Sequence, residues 1–233
     1  MPTLLRSIAS AVALTLSIVA SAQCPSDYLP SGFPGVALGP FSARTGEVRC
    51  SVMWDPDGDG PLGEWLVVGG TFGSIDGTKA YLVAGWDGSR WHPVSPTTAD
   101  ANSNDLVAAL AVHNGRLIAG GRFNSLPTPS GEPRSVNNIA QLVDGVWQPL
   151  ANGLSGSGNL PISALAVFNN ELIAAGSFSI SGQQGANVAR FTGSSWAILG
   201  NGLAGSPGAN GTVVSTLALF QGELYAGGSF GST

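Results

Sequence analysis

The chain is poor in charge. Only 10% of its 233 residues are Asp, Glu, Lys or Arg, and Lys79 is the single lysine. The formal net charge is −5. Nucleic acid and anionic membrane surfaces are recognised through clustered Lys and Arg, so this composition argues against both as partners. No block of like charge occurs, which removes charge steering as a theme. Histidine is limited to His92 and His113, and cysteine to Cys24 and Cys50. Neither cysteine sits in a CxxC or His-containing pattern of the kind that holds zinc. Beyond the first residues, no segment shows a 3.6-residue apolar period. No Gly-x-Ser-x-Gly elbow precedes a helix, and no phosphate-cradling loop is present.

What the chain has in excess is glycine, 34 residues, beside 43% hydrophobic residues, enough to build a core. The N-terminus reads as an export signal over residues 1–22. Arg6 gives a positive start, an apolar stretch runs from Ile8 to Val19, and Ala20-Ser21-Ala22 forms a small-x-small cleavage site. The apolar run is short of the roughly 20 residues that span a bilayer, so no membrane span is expected after cleavage. Export fits the two cysteines, which are expected to pair as a Cys24–Cys50 disulfide that ties down residues 23–46. The alternative is two unrelated thiols.

Internal repetition is the dominant signal. Leu110, Leu165 and Leu217 each lie 11 positions before the second glycine-like mark at Gly121, Gly176 and Gly228. An earlier copy ends at Gly69-Gly70, and the marks recur at steps of 51, 55 and 52 residues. A second half-unit has its own fixed spacing: Ala84, Ala140 and Ala189 each precede Trp91, Trp147 and Trp196 by seven positions. Fixed spacing within halves and variable length between them is the pattern of two hairpins per repeat, because register is strict and loops are not. Asn114-Gly115, Asn169-Asn170 and Gln221-Gly222 fall where the first hairpins turn, and Asp87-Gly88 and Asp144-Gly145 where the second ones do. Such pairs supply the positive φ values of tight turns. Each repeat thus predicts four short antiparallel strands, A to D. The expected fold class is all-β, a β-propeller of about four four-stranded blades at 47–95, 106–151, 161–200 and 213–233, the last incomplete. The three strand-D tryptophans are expected to pack between blades, and the paired glycines to allow close approach.

The Gly-Gly that follows an apolar strand, with Trp some 20–26 residues on, resembles the kelch type of propeller repeat. Gly227-Gly228-Ser229-Phe230 and the run from Asn187 to Trp196 (Asn-x-Ala-x-Phe-x-Gly-Ser-Ser-Trp) are closer still to repeats of fungal cortical cell-polarity markers and of large secreted bacterial repeat proteins. The resemblance covers roughly residues 47–233. It implies a secreted or cell-surface module that binds an unidentified protein or glycan without catalysis. The alternative it leaves is an extracellular enzyme on the same scaffold, a galactose-oxidase-like oxidase or a hydrolase. An oxidase of that type needs two His, two Tyr and a Cys at one copper, whereas Tyr28, Tyr81 and Tyr225 are scattered here.

Two further features bear on sites. Asp55, Asp57 and Asp59 alternate in Asp-Pro-Asp-Gly-Asp-Gly, the spacing of an oxygen-rich calcium loop, although Leu66 stands where an EF-hand has its closing Glu. Equally, Asp and Gly there serve the tip of an extended hairpin, an insertion of seven residues. The B–C and D–A connections over 95–105, 124–137, 153–160 and 202–211 are long and varied, so binding is expected at that end. The last repeat stops after strand B, which reads as a truncated or partial ring, with Gly35-Val36-Ala37-Leu38 as a possible closing strand. Asn210-Gly211-Thr212 is a glycosylation sequon.

Overall fold

In the computed structural model, the described residues are 46–95, 104–156, 161–180, 187–203 and 213–229. Cys24, the 35–38 segment and the sequon lie outside them. The described residues are all-β, with no helix among them.

The first unit comprises β1 (Val48–Trp54), β2 (Trp65–Gly70), a small β3 (Ser74–Ile75) and β4 (Thr78–Lys79) hairpin, β5 (Val83–Trp86) and β6 (Trp91–Pro93). The second comprises β7 (Leu106–His113), β8 (Arg116–Arg122), a hairpin of β9 (Ser125–Pro127) and β10 (Pro133–Ser135), β11 (Ile139–Val143) and β12 (Val146–Pro149). The third has β13 (Ile162–Phe168), β14 (Glu171–Gly176), β15 (Val188–Phe191) and β16 (Trp196–Ile198). The fourth has β17 (Val213–Phe220) and β18 (Glu223–Ser229). Units one to three each form a four-stranded antiparallel meander, and unit four a two-stranded sheet. This is the A-to-D order expected from the spacing.

The turns follow the chemistry of their residues. Asn114 and Gly115 have φ of 51° and 73°, Asn169 and Asn170 of 49° and 63°, Asp144 and Gly145 of 50° and 72°. Two consecutive left-handed residues match the twist of a tight hairpin. Asp87-Gly88 departs from expectation. It belongs to a four-residue turn, because Trp86 pairs with Trp91 and Asp87 N donates to Arg90 O.

The β1–β2 hairpin also corrects the count of the insertion. Ser51 pairs with Val68 as Leu110 pairs with Ala119, so Ser51 holds the place of the repeat's leading Leu. Ten residues, 55–64, separate paired Trp54 and Trp65, where two separate His113 and Arg116. The insertion is therefore eight residues, one more than the sequence spacing gave with Val52 as the mark.

All four A strands carry a register shift at the same place: after Val48, Val107, Ile162 and Val214. The bulge explains the second glycine of each pair. A Cβ on Gly70, Gly121 or Gly176 would strike the backbone carbonyl of Glu47, Leu106 or Pro161. The first glycine serves the neighbouring sheet. A Cβ on Gly69 would stand 2.7 Å from Val107 Cγ1, and one on Gly120 2.6 Å from Ile162 Cγ2. What approaches there is aliphatic.

Packing between sheets runs in chain order, β1 and β2 on β7, β7 and β8 on β13, β13 and β14 on β17. One core lies between units one and two and holds Val67, Leu117, Leu142 and Trp147. The next lies between units two and three, around Ile118, Ile162, Leu172 and Trp196. A third joins Ile173 and Ala175 to Val214 and Leu217. Complete burial of an aliphatic side chain contributes about 1.5–3 kcal/mol. Trp147 and Trp196 fill these layers as expected. Trp91 does not: it is half-buried against the small cluster of Phe72, Ile75 and Ala80, and its buried Nε1 meets no acceptor among the described residues.

Candidate functional site

The meander sends the A–B and C–D turns to one end of the sheets and the B–C and D–A connections to the other. Each end carries polar groups that differ in kind.

At the tight-turn end, the acidic tip spends its carboxylates on its own backbone. Asp55 Oδ1 accepts from Asp57 N at 3.2 Å and Gly58 N at 3.0 Å, and Asp57 Oδ2 accepts from Leu62 N at 3.1 Å. The two to Asp55 are Asx-type turn bonds, and the one to Asp57 reaches across the tip. Among the described residues no three His, Cys, Asp or Glu side chains gather where they could hold a metal ion, Asp55, Asp57 and Asp59 included.

Nearby, Asp87 organises the β5–β6 turn. Its Oδ1 accepts from Ser89 N, Ser89 Oγ and Arg90 N, and its Oδ2 lies 2.6 Å from His92 Nε2. The bond from His92, then those from Ser89 and Arg90, hold the Asp87 carboxyl well below the usual carboxylate range. The His92 ring stacks on Trp65 at 4.6 Å. Trp65 lies flat because strand C offers glycine beneath it: a Cβ on Gly85 would be 2.5 Å from the indole. His113 is engaged elsewhere, with Nε2 at 3.1 Å from Asn170 O. Tyr225 donates to Glu223 at 2.8 Å in unit four. The structure therefore does not bring the two histidines and Tyr225 onto a common partner.

At the long-connection end, three connections converge. Tyr81 precedes strand β5, Asp105 ends the connection into β7, and Arg122 closes β8. Tyr81 Oη donates to Asp105 Oδ2 at 2.6 Å, and Arg122 Nε donates to Asn104 O at 2.8 Å. Burial raises the Asp105 carboxyl above its ordinary value, and the Tyr81 hydroxyl and the Arg122 charge pull it only part of the way back. Sequence reasoning missed this group because its members come from separate connections. The available signal was that Leu106 and Arg122 are paired, which sets Asp105 and Arg122 at one end of a hairpin.

The sign of the Asp105 shift leads to an expected pH dependence. A raised folded-state pKa means that the native state keeps a proton that the unfolded chain releases above about pH 4. This contribution is fully present below the unfolded pKa and is lost as pH rises through the folded one. Asp105→Asn should flatten that part of the profile. The check is the urea midpoint of parent and variant measured from acid to neutral pH; parallel profiles would count against the assignment.

A second polar device braces the same end. Asn138 has φ 69° and is buried; its Oδ1 accepts from Phe123 N at 3.3 Å and its Nδ2 donates to Leu154 O at 3.0 Å. Asn187 has φ 52°, and its Nδ2 donates to Leu203 O at 2.8 Å. In the first unit the corresponding left-handed residue is Leu82, whose carbonyl accepts from Gly70 N as those of Asn138 and Asn187 accept from Gly121 and Gly176. The B–C and D–A connections are thus pinned at their roots.

The connection over 124–137 is more ordered than expected of a variable loop. Pro127 pairs with Pro133 and Ser125 with Ser135, and Leu126 and Val136 are buried in the first core. The exposed, replaceable part is the tip around 128–132.

Cys50, half of the expected disulfide, is a free thiol on β1, and Cys24 lies outside the described residues. Its Sγ is 3.7 Å from Gly69 O and 3.9 Å from Val107 O, between the first two sheets. Burial pushes the thiol up to about 12. The thiolate is the reactive form, so Cys50 should resist thiol reagents at mildly alkaline pH in the folded protein and react on unfolding. Labelling of a Cys24→Ser variant with and without denaturant checks this; rapid native labelling would contradict it.

Neither a protein-family model nor a curated relative matches the chain.

Proposed function

We propose that this is an exported repeat protein of the β-propeller type, kelch-like in its repeat, that acts outside the cell or at its surface as a non-catalytic binding or structural module. The observation that carries this reading is the contrast between the two ends of the sheets. Strands and most A–B turns repeat closely, while the opposite end carries connections of unequal length, two of which, in units one and two, contain extra hairpins. Variable segments on a fixed frame are where recognition is usually placed. The same end holds Tyr81, Asp105 and Arg122, a hydrogen-bonding and partly buried group of the kind that orients a polar ligand. A glycan or a polar protein segment matches that chemistry.

The test compares three proteins on glycan arrays and on purified cell-envelope fractions: the parent, a variant with residues 128–132 replaced by a short turn, and Asp105→Asn. Binding by the parent that falls in either variant, with unchanged far-UV dichroism, supports the reading. Binding retained in both places recognition elsewhere and overturns it.

A further inference from the structure

The sheets repeat one frame, and a row of side chains breaks it in the first sheet. The row crosses strands B, C and D close to the tight turns. In unit two it reads Arg116, Gln141 and Gln148, and in unit three Glu171, Arg190 and Ala197, places fixed by the pairing of strands B, C and D. Both of those rows bond to themselves. Arg116 Nη1 donates to Gln141 Oε1 at 3.2 Å, and Arg190 Nη1 donates to Glu171 Oε1 at 2.7 Å. In unit one the same three places hold Trp65, Gly85 and His92. An aromatic stack stands there in place of a self-satisfied polar pair.

The three residues fit one another. Glycine at 85 makes room for the indole, since a Cβ there would lie 2.5 Å from Trp65 Cε3. The His92 ring stacks on that indole with its plane only 18° from parallel. Asp87 holds the imidazole through Nε2. Asp87 Oδ1 is already engaged by Ser89 and the Arg90 N–H, so this carboxylate orients the ring and is not free for a ligand. A bond to a carboxylate places a proton on Nε2 and leaves Nδ1 of the neutral ring as an acceptor. That nitrogen has no partner among the described residues. The Arg90 guanidinium is 76% exposed and meets Asp87 only at 3.9 Å, so its donors face solvent. Trp65 is half-buried, and His92 and Asp87 keep 22% and 24% of their side chains exposed. The row lies on the face that packs toward the second sheet, because Val67, which pairs with Gly85, belongs to the core shared by units one and two. The long tip over 55–64 springs from Trp54 and Trp65, so two departures from the repeat meet at one end of one sheet.

We propose that this row binds one ring of a neutral glycan, a pyranose with equatorial hydroxyls such as β-linked glucose or N-acetylglucosamine. Such a ring is apolar on its faces and polar around its edge. Its axial C–H groups suit an indole, while its hydroxyls donate to His92 Nδ1 and accept from Arg90. Asp87 and Arg90 offset each other in charge, which favours an uncharged ligand. The site lies at the end opposite the connections assigned to recognition above and does not depend on them.

Saturation-transfer NMR with cellotetraose and chitotetraose tests this on the full chain, beside the indole N–H signals of the protein. At least one of the two sugars is expected to bind with a Kd of about 1 mM, the scale of a single-ring contact. The indole signal missing from the Trp65→Phe spectrum belongs to Trp65 and is expected to move on titration. Trp65→Leu, which keeps apolar bulk without a ring, is expected to weaken binding about 30-fold. Gly85→Ala, which forces the indole off its seat, should weaken it likewise, and Trp65→Phe should retain it in part. Urea midpoints verify folding, and the Trp65 signal reads the parent directly should a variant misfold. No transfer to either sugar at about 10 mM, binding that leaves the Trp65 signal unmoved, or Trp65→Leu binding as the parent does overturns the proposal. Loss of binding in Asp105→Asn with Trp65→Leu unchanged also overturns it, and assigns the glycan to the long-connection end, which leaves the reading of function intact.

Discussion

Gly120→Val is expected to destabilise the fold by about 3 kcal/mol, the upper part of the range for overpacking a filled core. The new side chain has no space to enter. Even its Cβ would lie 2.6 Å from Ile162 Cγ2 and 3.3 Å from Leu165 Cδ1. Ile162 is itself 0% exposed and sits at the bulge of β13, so moving it away means moving the strand. The matched substitution Gly227→Val, at the same position of unit four, would bring its Cβ to 3.0 Å from one methyl, Thr216 Cγ2, and to no other atom within 4 Å among the described residues, so it is expected to stay within about 1 kcal/mol of the parent. Urea unfolding followed by tryptophan fluorescence compares the two midpoints. Equal midpoints would show that the close approach at Gly120 does not limit the packing.

Asn138→Ala is the other large effect, about 2–5 kcal/mol. Two causes add. Loss of the side chain leaves Phe123 N and Leu154 O without its bonds in a buried setting, and an unsatisfied buried polar group costs about 1–3 kcal/mol. Alanine must also hold φ near 69°, where a Cβ-bearing residue without Asn's local hydrogen bonding loses about 1–2 kcal/mol. Asn138→Gly separates them. It forfeits the same bonds but accepts the left-handed backbone, so it should fall between parent and Asn138→Ala in chemical denaturation. A glycine variant no better than alanine would mean that backbone conformation contributes nothing.

These positions show what the amino-acid pattern reveals unaided. Three hairpins of units two and three were legible because their turns use Asn-Gly, Asp-Gly and Asn-Asn between short apolar runs, and those residues do adopt positive φ. The four-strand order followed from constant spacing inside hairpins. The β9–β10 hairpin was not legible. It is three residues a side, begins and ends on prolines, and owes its register to burial of Leu126 and Val136 against distant strands. The size of the β1–β2 insertion was misjudged by one residue because Ser51 replaces the leading Leu of the other units, and only pairing to Val68 reveals it. The disulfide expectation met a Cys50 side chain turned between two sheets, a direction that spacing cannot encode. The Tyr81–Asp105 bond joins residues 24 apart across a long connection, with no local pattern to mark it.

The order of packing also determines how the molecule comes apart. Each sheet is coupled chiefly to the one before and the one after, so the chain behaves thermodynamically as a row of linked units with nearest-neighbour terms. Among the described residues the second sheet shares one core with the first and another with the third, and the third shares a core with the fourth. Loss of the joint between Gly120 and Ile162 therefore uncouples the first two described sheets from the last two. Cooperativity in this protein is a property of the joints, and the three of them are unequal in what their loss disconnects.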